Sequence, residues 1–322
     1  MNKTKKITVI SPFLNEEENL PVLCERLAAA LDGEPEDWDL ILVDDGSTDG
    51  SAAWVAQRAA QDPRVKLLRL SRNFGHQIAI TAGLDYADGD AVVIIDADLQ
   101  DPPEVIPDLL AKWREGVEVV YAVRGKREGE TWLKKFLARS FYRIFRRLVK
   151  IDIPLDAGDF RLVDRKVVVA MRRVRELHRF MRGLTSWVGF SQAAVTYERA
   201  ARHAGRTKYP VWKSANLAWD AMTSFSGAPL RWMMGLGTLV SLGGLAQGIH
   251  IVSKKLMYPH RLVPGWATVV SLILFVGGIQ LICLGLLGHY VSRIFEESKK
   301  RPLYFVKETI GDLPGPPACA GK

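Results

Sequence analysis

The segment from Ala91 to Gln100 constrains the fold of this chain most, because an apolar run leads directly into a cluster of acidic residues. Ala91–Ile95 is short, rich in β-branched residues and bounded by polar residues, which predicts a buried strand of a parallel sheet. Asp96–Gln100 follows at the carboxyl end of that strand, where open α/β sheets bind their ligands. The segment therefore predicts an α/β fold and the edge of its sheet that carries the functional site.

The carboxylates of Asp96 and Asp98 would repel each other at this strand end, so a divalent cation is their natural partner. Oxygen ligands such as the Asp98 carboxylate and the Gln100 amide suit Mg²⁺ or Mn²⁺. The pattern therefore predicts a metal ion that binds the diphosphate of a ligand. An Asp-x-Asp sequence after a strand also caps helices, and this structural interpretation stays open for the pair taken alone.

From residue 7 to about 123 the chain alternates between strand-like and helix-like patterns. Strands are predicted near residues 7–11, 39–43, 65–70, 91–95 and 118–123, with helical stretches such as 20–31 and 51–61 between them. This alternation predicts a mostly parallel sheet with helices on both faces. The glycine-rich signatures of dinucleotide-binding and P-loop proteins are absent from the strand ends, which argues against both classes.

Acidic clusters follow three of these strands instead. They are Asn15-Glu16-Glu17, Asp44-Asp45-Gly46-Ser47 and the segment Asp96 to Asp98. Each alone is a common turn or helix cap. Three of them on one edge of one sheet predict a functional site.

The second half of the chain carries signs of a membrane partner, and the net charge of +8 agrees with an anionic one. Residues 132–150 alternate apolar and basic side chains at helical spacing, which predicts an amphipathic interface helix. A core helix with a solvated cationic face is the alternative. Trp232–Val252 and Trp266–Tyr290 are each about 20 apolar residues or longer, enough for a transmembrane hairpin. Nucleic-acid binding is disfavoured, because the basic residues lie beside these segments rather than among stacking aromatics.

Motifs along the chain resemble those of a known family. They are Ser11–Glu16, Val43–Ser47, Ser71–Gly75, Asp96–Pro103, Gly158–Arg161, Arg202–Tyr209 and the terminal hairpin. From about residue 7 to 310 the chain resembles the inverting family 2 glycosyltransferases that load polyisoprenyl phosphates, which include bactoprenol-phosphate glucosyltransferases and dolichol-phosphate mannose synthase. The resemblance implies a GT-A, Rossmann-like, mostly parallel sheet with helices on both faces, plus amphipathic interface helices and a C-terminal two-helix transmembrane hairpin.

The resemblance also implies roles for individual residues. The nucleotide sugar would be bound by Pro12, Leu14, Glu16, Val43, Asp45, Asp96, Ala97, Asp98, Arg124, Arg202 and Lys208. Asp98 and Gln100 would bind Mg²⁺ or Mn²⁺. Asp98 and Asp159 would be catalytic, with Asp159 aligning the acceptor phosphate or taking a residual proton, and a structural turn at Asp159 is the alternative. Leu14 departs from the family pattern, in which Tyr is frequent, and offers no aromatic ring for stacking.

The resemblance divides the chain into four parts. They are a nucleotide-sugar-binding core (1–130), an acceptor-side part with interface helices (131–229), the hairpin (230–292) and a cytosolic tail (293–322). Two spans place both ends on one side of a bacterial cytoplasmic membrane, and the absence of a signal-peptide core together with the nucleotide-type site favours the cytosol.

The implied reaction is an inverting transfer of a hexose, glucose from UDP-glucose, to undecaprenyl or another polyprenyl phosphate at the cytosolic membrane face. The product would be a lipid-linked sugar for modification of cell-envelope glycans. Other donors stay open: GDP-mannose, a UDP-N-acetylhexosamine or a UDP-modified arabinose. A processive polysaccharide synthase and a non-catalytic membrane binding protein are weaker alternatives, and a homo-oligomer is left open.

Overall fold

The computed structural model describes residues 4–124, 157–197, 228–257 and 265–315. The chain divides into two units, one formed by Met1–Lys213 with Pro302–Lys322 and one formed by Ser214–Arg301. The predicted helix at 132–150 and the loop Arg202–Tyr209 lie outside the described residues.

The first unit contains a mixed sheet with helices between its strands. Its described strands are β1 (Lys6–Phe13), β2 (Asp37–Asp44), β3 (Val65–Leu70), β4 (Ala91–Ile94), β5 (Val119–Arg124), β6 (Ala157–Asp164), β7 (Gln192–Tyr197) and β8 (Val306–Ile310). Its described helices are α1 (Asn19–Leu31), α2 (Ser51–Gln61), α3 (His76–Tyr86), a short 3-10 turn (Pro103–Val105), α4 (Ile106–Arg114), α5 (Arg165–Arg173) and α6 (Met181–Trp187).

The described strands are ordered β7-β5-β6-β4-β1-β2-β3-β8. β4, β1, β2 and β3 are parallel, as are β5 and β7, whereas β6 runs antiparallel between β4 and β5. The predicted α/β class, with a mostly parallel sheet and all five predicted strands, is confirmed. β6, β7 and β8 were not predicted.

The centre of the sheet is buried on both faces, which explains why its strands are continuously apolar. Every residue of β1 from Ile7 to Phe13 is buried, and so is every residue of β4. On one face α1 packs through Leu20, Leu23 and Leu27, which recur at helical spacing. This core fixes the strand ends that carry the predicted site.

The C-terminal segment contributes an edge strand to the same sheet. β8 pairs antiparallel with β3, and the N–H of Ser71 donates to the carbonyl oxygen of Phe305 at 2.9 Å. The Tyr304 hydroxyl donates to Asp85 of α3 at 2.9 Å. The segment predicted as a separate tail is therefore partly built into the first unit.

The second unit contains two long helices, α7 (Ala228–Met257) and α8 (Trp266–Ser298). By length and composition, Trp232–His250 and Phe275–Ser298 could each cross a membrane, with mean hydropathies of 1.2 and 1.5. Many of their leucine and isoleucine side chains are exposed, which suits a hydrocarbon environment better than water. The two predicted apolar segments are thus helical, and α8 continues past the predicted end at Tyr290.

Candidate active site

The carboxyl ends of β4, β1 and β2 lie side by side at one edge of the sheet. The parallel register sets Pro12 opposite Val43, and the N–H of Ile95 donates to the carbonyl oxygen of Ile10 at 3.0 Å. The loops that follow these strands are therefore neighbours. The structure brings together the three acidic clusters that the sequence placed at separate strand ends.

Hydrogen bonds join the first two acidic loops. The Asn15 N–H donates to Ser47 Oγ at 3.0 Å, and Asn15 Oδ1 accepts from the N–H of Thr48 at 2.8 Å. The N–H of Glu16 donates to Ser51 Oγ at 3.0 Å. Asn15 has a φ of 56°, a left-handed conformation that asparagine adopts more readily than most residues. The loop with Leu14 and Glu16 is thereby fixed against the loop with Asp45.

Asp45 is buried and anchors a further loop, residues 71–75. Its two oxygens accept hydrogen bonds from the N–H groups of Phe74 and Gly75 at 2.8 and 3.0 Å. Burial raises the pKa of Asp45, and the two backbone hydrogen bonds oppose that rise. Gly46 permits the close approach of the two loops, because a Cβ there would lie 2.7 Å from the Arg72 carbonyl carbon and the Asn73 nitrogen.

The other residues predicted to contact the nucleotide lie in or beside these loops. Pro12, Val43 and Ala97 are buried at the strand ends. Glu16 is half-buried, and its side chain accepts a hydrogen bond from the Asn19 amide at 2.5 Å. Leu14 is 40% exposed, so its side chain is accessible to a ligand.

The predicted metal ligands lie in a tight turn after β4. The N–H of Gln100 donates to Asp98 Oδ1 at 3.1 Å, and Leu99 between them has a φ of 58°. Asp98 and Gln100 are half-buried, whereas the next residue, Asp101, is buried and accepts a hydrogen bond from the Tyr197 hydroxyl of β7. Both predicted ligands therefore remain partly accessible, and the hydrogen bond between Tyr197 and Asp101 attaches the turn to β7.

Asp96 lies near several other carboxylates, and its pKa is raised. Burial raises its pKa to about 6; the charge of His76 opposes the rise, and the carboxylates of Asp159, Asp101 and Asp98 add to it. Among the described residues, its Oδ1 has no hydrogen-bond donor, although His76 Nε2 lies 3.4 Å away. In residues 4–124, 157–197, 228–257 and 265–315 no three His, Cys, Asp or Glu side chains form a metal site, so an ion on Asp98 and Gln100 would need ligand or water oxygens as well.

Asp159 lies in β6, not in a turn, and faces the same edge. Its Oδ2 accepts a hydrogen bond from Gln77 Nε2 at 3.2 Å and lies 3.4 Å from His76 Nε2. Its Oδ1 accepts from Arg182 Nε at 3.0 Å and lies 3.7 Å from Arg161 Nη2. His76 Nε2 thus lies between Asp96 and Asp159 and links the acidic loop after β4 to β6.

These contacts set the protonation of the His76–Asp159 pair. Burial would raise the pKa of Asp159, but the hydrogen bond with His76 and the charges of Arg182 and Arg161 outweigh it and hold the pKa well below its usual range. Burial would lower the pKa of His76, but the hydrogen bond with Asp159 and the charge of Asp96 raise it to about 9. At neutral pH the pair is therefore an imidazolium beside a carboxylate.

Comparison with known proteins identifies the family. Residues 8–171 match the model of glycosyl transferase family 2, a range that includes the three acidic loops and Asp159. This chain belongs to glycosyltransferase family 2. It is therefore a transferase with a GT-A fold.

Relatives of this glycosyltransferase match almost its whole length. The uncharacterized glycosyltransferase YkcC of Bacillus subtilis is 47% identical over 97% of this chain and 96% of its own. The bactoprenol glucosyl transferase of Shigella phage SfV is 40% identical over 94% of this chain and 98% of its own. The prophage bactoprenol glucosyl transferase homolog of Escherichia coli K12 is 39% identical over the same shares.

A second family model, the GtrB C-terminal hairpin, matches residues 228–294. This range coincides with α7 and most of α8. Together with the apolar composition of both helices, this match indicates that the glycosyltransferase is membrane-associated.

The structure adds residues to the predicted site and leaves others undescribed. Arg124 is the last residue of β5, but its side chain lies outside the described part, as do Arg202 and Lys208. Gln77 and Arg182 contact Asp159, and no local pattern in the sequence predicts either contact. Arg182 is 23 residues from Asp159, so only the tertiary fold brings them together.

Proposed function

We propose that this glycosyltransferase transfers a hexose, glucose from UDP-glucose, to a polyprenyl phosphate with inversion at the sugar. The names of the Shigella phage and Escherichia coli relatives support the acceptor and the sugar. The observation that carries the proposal is the joining of the acidic loop after β4 to Asp159 through His76. A donor site and a charged group for the acceptor thereby lie at one edge of the sheet.

The donor would lie across the carboxyl ends of β1, β2 and β4. Pro12, Leu14, Glu16, Val43 and Asp45 would contact the base and ribose, and the segment Asp96–Asp98 the diphosphate and sugar. Arg124, Arg202 and Lys208 would supply positive charge to the diphosphate. The loop contacts that fix Asp45 support this division, because a preorganised polar site loses less entropy when the nucleotide binds.

The residues fit a divalent cation, either Mg²⁺ or Mn²⁺. Neighbouring carboxylates contribute to the raised pKa of Asp96, and its Oδ1 accepts no hydrogen bond among the described residues, so a further cation would be stabilised there. Asp98 and Gln100 would hold the ion with oxygen ligands of the kind both metals prefer. When bound, the ion would neutralise the negative charge that develops on the departing diphosphate.

The phosphate of the acceptor would itself be the nucleophile that attacks the sugar. A phosphate monoester has a second pKa of about 6, so at neutral pH much of it is a dianion. One phosphate oxygen would form a bond to the anomeric carbon while the bond from that carbon to the donor diphosphate breaks on the opposite side, which inverts the configuration. No proton has to be removed from the dianion, so the low pKa of Asp159 favours alignment of the phosphate over general-base catalysis.

The location of the reaction follows from the substrates. The hairpin would hold the enzyme in the bacterial cytoplasmic membrane, among membrane lipids and beside its lipid acceptor, with the catalytic unit and the C-terminus in the cytosol. That side supplies the nucleotide sugar. The lipid-linked product would serve modification of cell-envelope glycans.

A donor screen tests the proposal. Full-length protein in detergent would be incubated with undecaprenyl phosphate and Mg²⁺ or Mn²⁺, and with UDP-glucose, GDP-mannose, UDP-N-acetylglucosamine or a UDP-modified arabinose in parallel. We expect UDP-glucose to yield a lipid one hexosyl residue heavier by mass spectrometry, with no product from the uncharged lipid alcohol. Product from another donor would reassign the sugar, a polymer would indicate a synthase, and no product from any donor would overturn the proposal.

A further inference from the structure

Arg182 is a cation at the acidic edge, in the first turn of α6. Its Nε donates to Asp159 Oδ1 at 3.0 Å, and its Nη2 lies 3.5 Å from Asp159 Oδ2. Two contacts to one carboxylate fix the plane of the guanidinium group. The side chain of Arg182 is 35% exposed and that of Asp159 only 8%. The buried carboxylate therefore holds a cation that remains accessible to a ligand.

The packing around α6 holds Arg182 in place before any ligand binds. Gln77 of α3 accepts a hydrogen bond from the Met181 N–H at 2.8 Å and donates to Asp159. The buried Arg161 of β6 donates to the Thr185 hydroxyl of α6 and to the Gly158 carbonyl oxygen. α6 is thereby attached to both α3 and β6, as expected for an element that positions a binding group.

The charges around Asp159 favour an anion. This one carboxylate faces three cationic side chains, His76, Arg161 and Arg182. Even when Asp96 is counted, which shares His76 with Asp159, three cationic side chains face two carboxylates. Of the three cations, Arg161 is buried, whereas Arg182 and His76 are partly exposed.

We propose that Arg182, oriented by Asp159, binds the phosphate of the lipid acceptor. The inference rests on the proposed function, whose acceptor is a phosphate monoester. The guanidinium fork matches two phosphate oxygens, which a lysine ammonium does not. Asp159 is then a positioning residue that acts through Arg182. Because His76 links Asp159 to Asp96, a phosphate on Arg182 would lie beside the sugar of the donor.

The chain offers a matched control for Arg182. Arg175 is also 35% exposed and pairs with a buried carboxylate, Asp85, at 2.7 Å. Asp85 lies nine residues after His76 on α3, about 13 Å along the helix axis and away from the acidic edge. The two ion pairs thus have similar structural roles, and only one of them is at the site.

The test measures kinetics with full-length Arg182→Gln, Arg182→Lys and Arg175→Gln proteins in detergent. The donor is held at saturation, and a short-chain isoprenyl monophosphate is varied. We expect Arg182→Gln to raise the KM for this acceptor by about tenfold or more, as loss of a charge-assisted contact predicts, and Arg182→Lys to recover part of the loss. Arg175→Gln should lower the melting temperature and leave the acceptor KM unchanged.

Two results separate the possible failures. If the wild type transfers sugar but Arg182→Gln and Arg182→Lys keep its acceptor KM and merely lose stability as Arg175→Gln does, Arg182 is structural and the inference is wrong. If the wild type glucosylates no isoprenyl phosphate, the proposed function fails and this inference with it. Asp159→Asn adds a check, since a positioning role predicts a raised acceptor KM with an unchanged pH profile of kcat.

Discussion

Two aspartates at the same edge of the sheet have opposite electrostatic environments. Burial and neighbouring carboxylates raise the pKa of Asp96, whereas His76, Arg182 and Arg161 lower the pKa of Asp159. Carboxylates whose pKa values are pushed apart usually have different roles. Asp96 shares one cation, His76, and has carboxylates as its other charged neighbours, whereas Asp159 also contacts Arg161 and Arg182. This contrast underlies the different roles that we propose for the two aspartates.

The metal assignment predicts the effect of Asp98→Asn. Asp98 is the anionic member of the two predicted protein ligands, so its loss should reduce turnover by about 100-fold or more. The melting temperature should stay within a few degrees of the wild type, because Asp98 is only half-buried. Asp37→Asn, an exposed carboxylate at the start of β2, is the control and should be fully active. Full wild-type activity in excess chelator would contradict the assignment.

The His76 pair predicts a pH-dependent stability. The pKa of His76 is raised to about 9 in the folded protein, from about 6.5 when unfolded. Its ionic contribution to stability is therefore complete below pH 6.5 and is lost as the pH rises through 9. The melting-temperature difference between wild type and His76→Gln should shrink between pH 7 and 10 at low salt. The change in this difference should be modest, because the His76 side chain is 42% exposed and its ion pair is screened by solvent. A melting-temperature difference that does not change with pH would contradict the prediction.

At the scale of elements, the close contact between the Gly46 loop and residues 71–75 predicts that Gly46→Ala lowers both stability and donor affinity. Gly46 has a φ of 84°, and a Cβ there would collide with the backbone of Arg72 and Asn73. Gly46→Ala should therefore displace the loop that holds Asp45, raise the KM for the nucleotide sugar several-fold and cost more than about 1 kcal/mol. Kinetics and thermal melting measure both effects.

Gly116→Ala separates backbone strain from displacement of the loop. Gly116 also has a positive φ, 98°, but a Cβ there would meet no atom within 4 Å. This variant should lose stability and keep the donor KM. An equal rise in donor KM for both variants would show that the Gly46 contact has no specific role.

Elements whose pattern lies within their own residues can be predicted from the sequence, whereas elements that form through long-range pairing cannot. β1 to β5 are apolar runs between turn residues, and their pattern alone predicts them. β6 contains the Gly158-Asp159 pair, which resembles a turn, and it becomes a strand because it pairs with β4 and β5. β8 is short and polar, as edge strands often are, so its composition gives little signal. Likewise, Arg182 meets Asp159 only through tertiary packing.

At the scale of the whole molecule, the hairpin predicts a membrane topology. A reporter fused after Lys322 should be cytosolic, and a reporter inserted near Pro259 should be on the outer side, because two helices return the chain to its starting side. Paired phosphatase and fluorescent-protein fusions measure both positions in intact bacteria. The reverse pattern would rule out use of a cytosolic nucleotide sugar.

The pairing of β8 with β3 has a consequence for biosynthesis. β8 is encoded after both apolar helices, so a ribosome must synthesise the whole hairpin before it supplies the last described strand of the sheet. Until then the free edge of β3 exposes unpaired backbone groups of the kind that promote aggregation. Synthesis of the hairpin therefore precedes the pairing of β8 with β3, and a premature stop codon just after α8 would yield a chain that has both apolar helices but lacks the strand that covers β3.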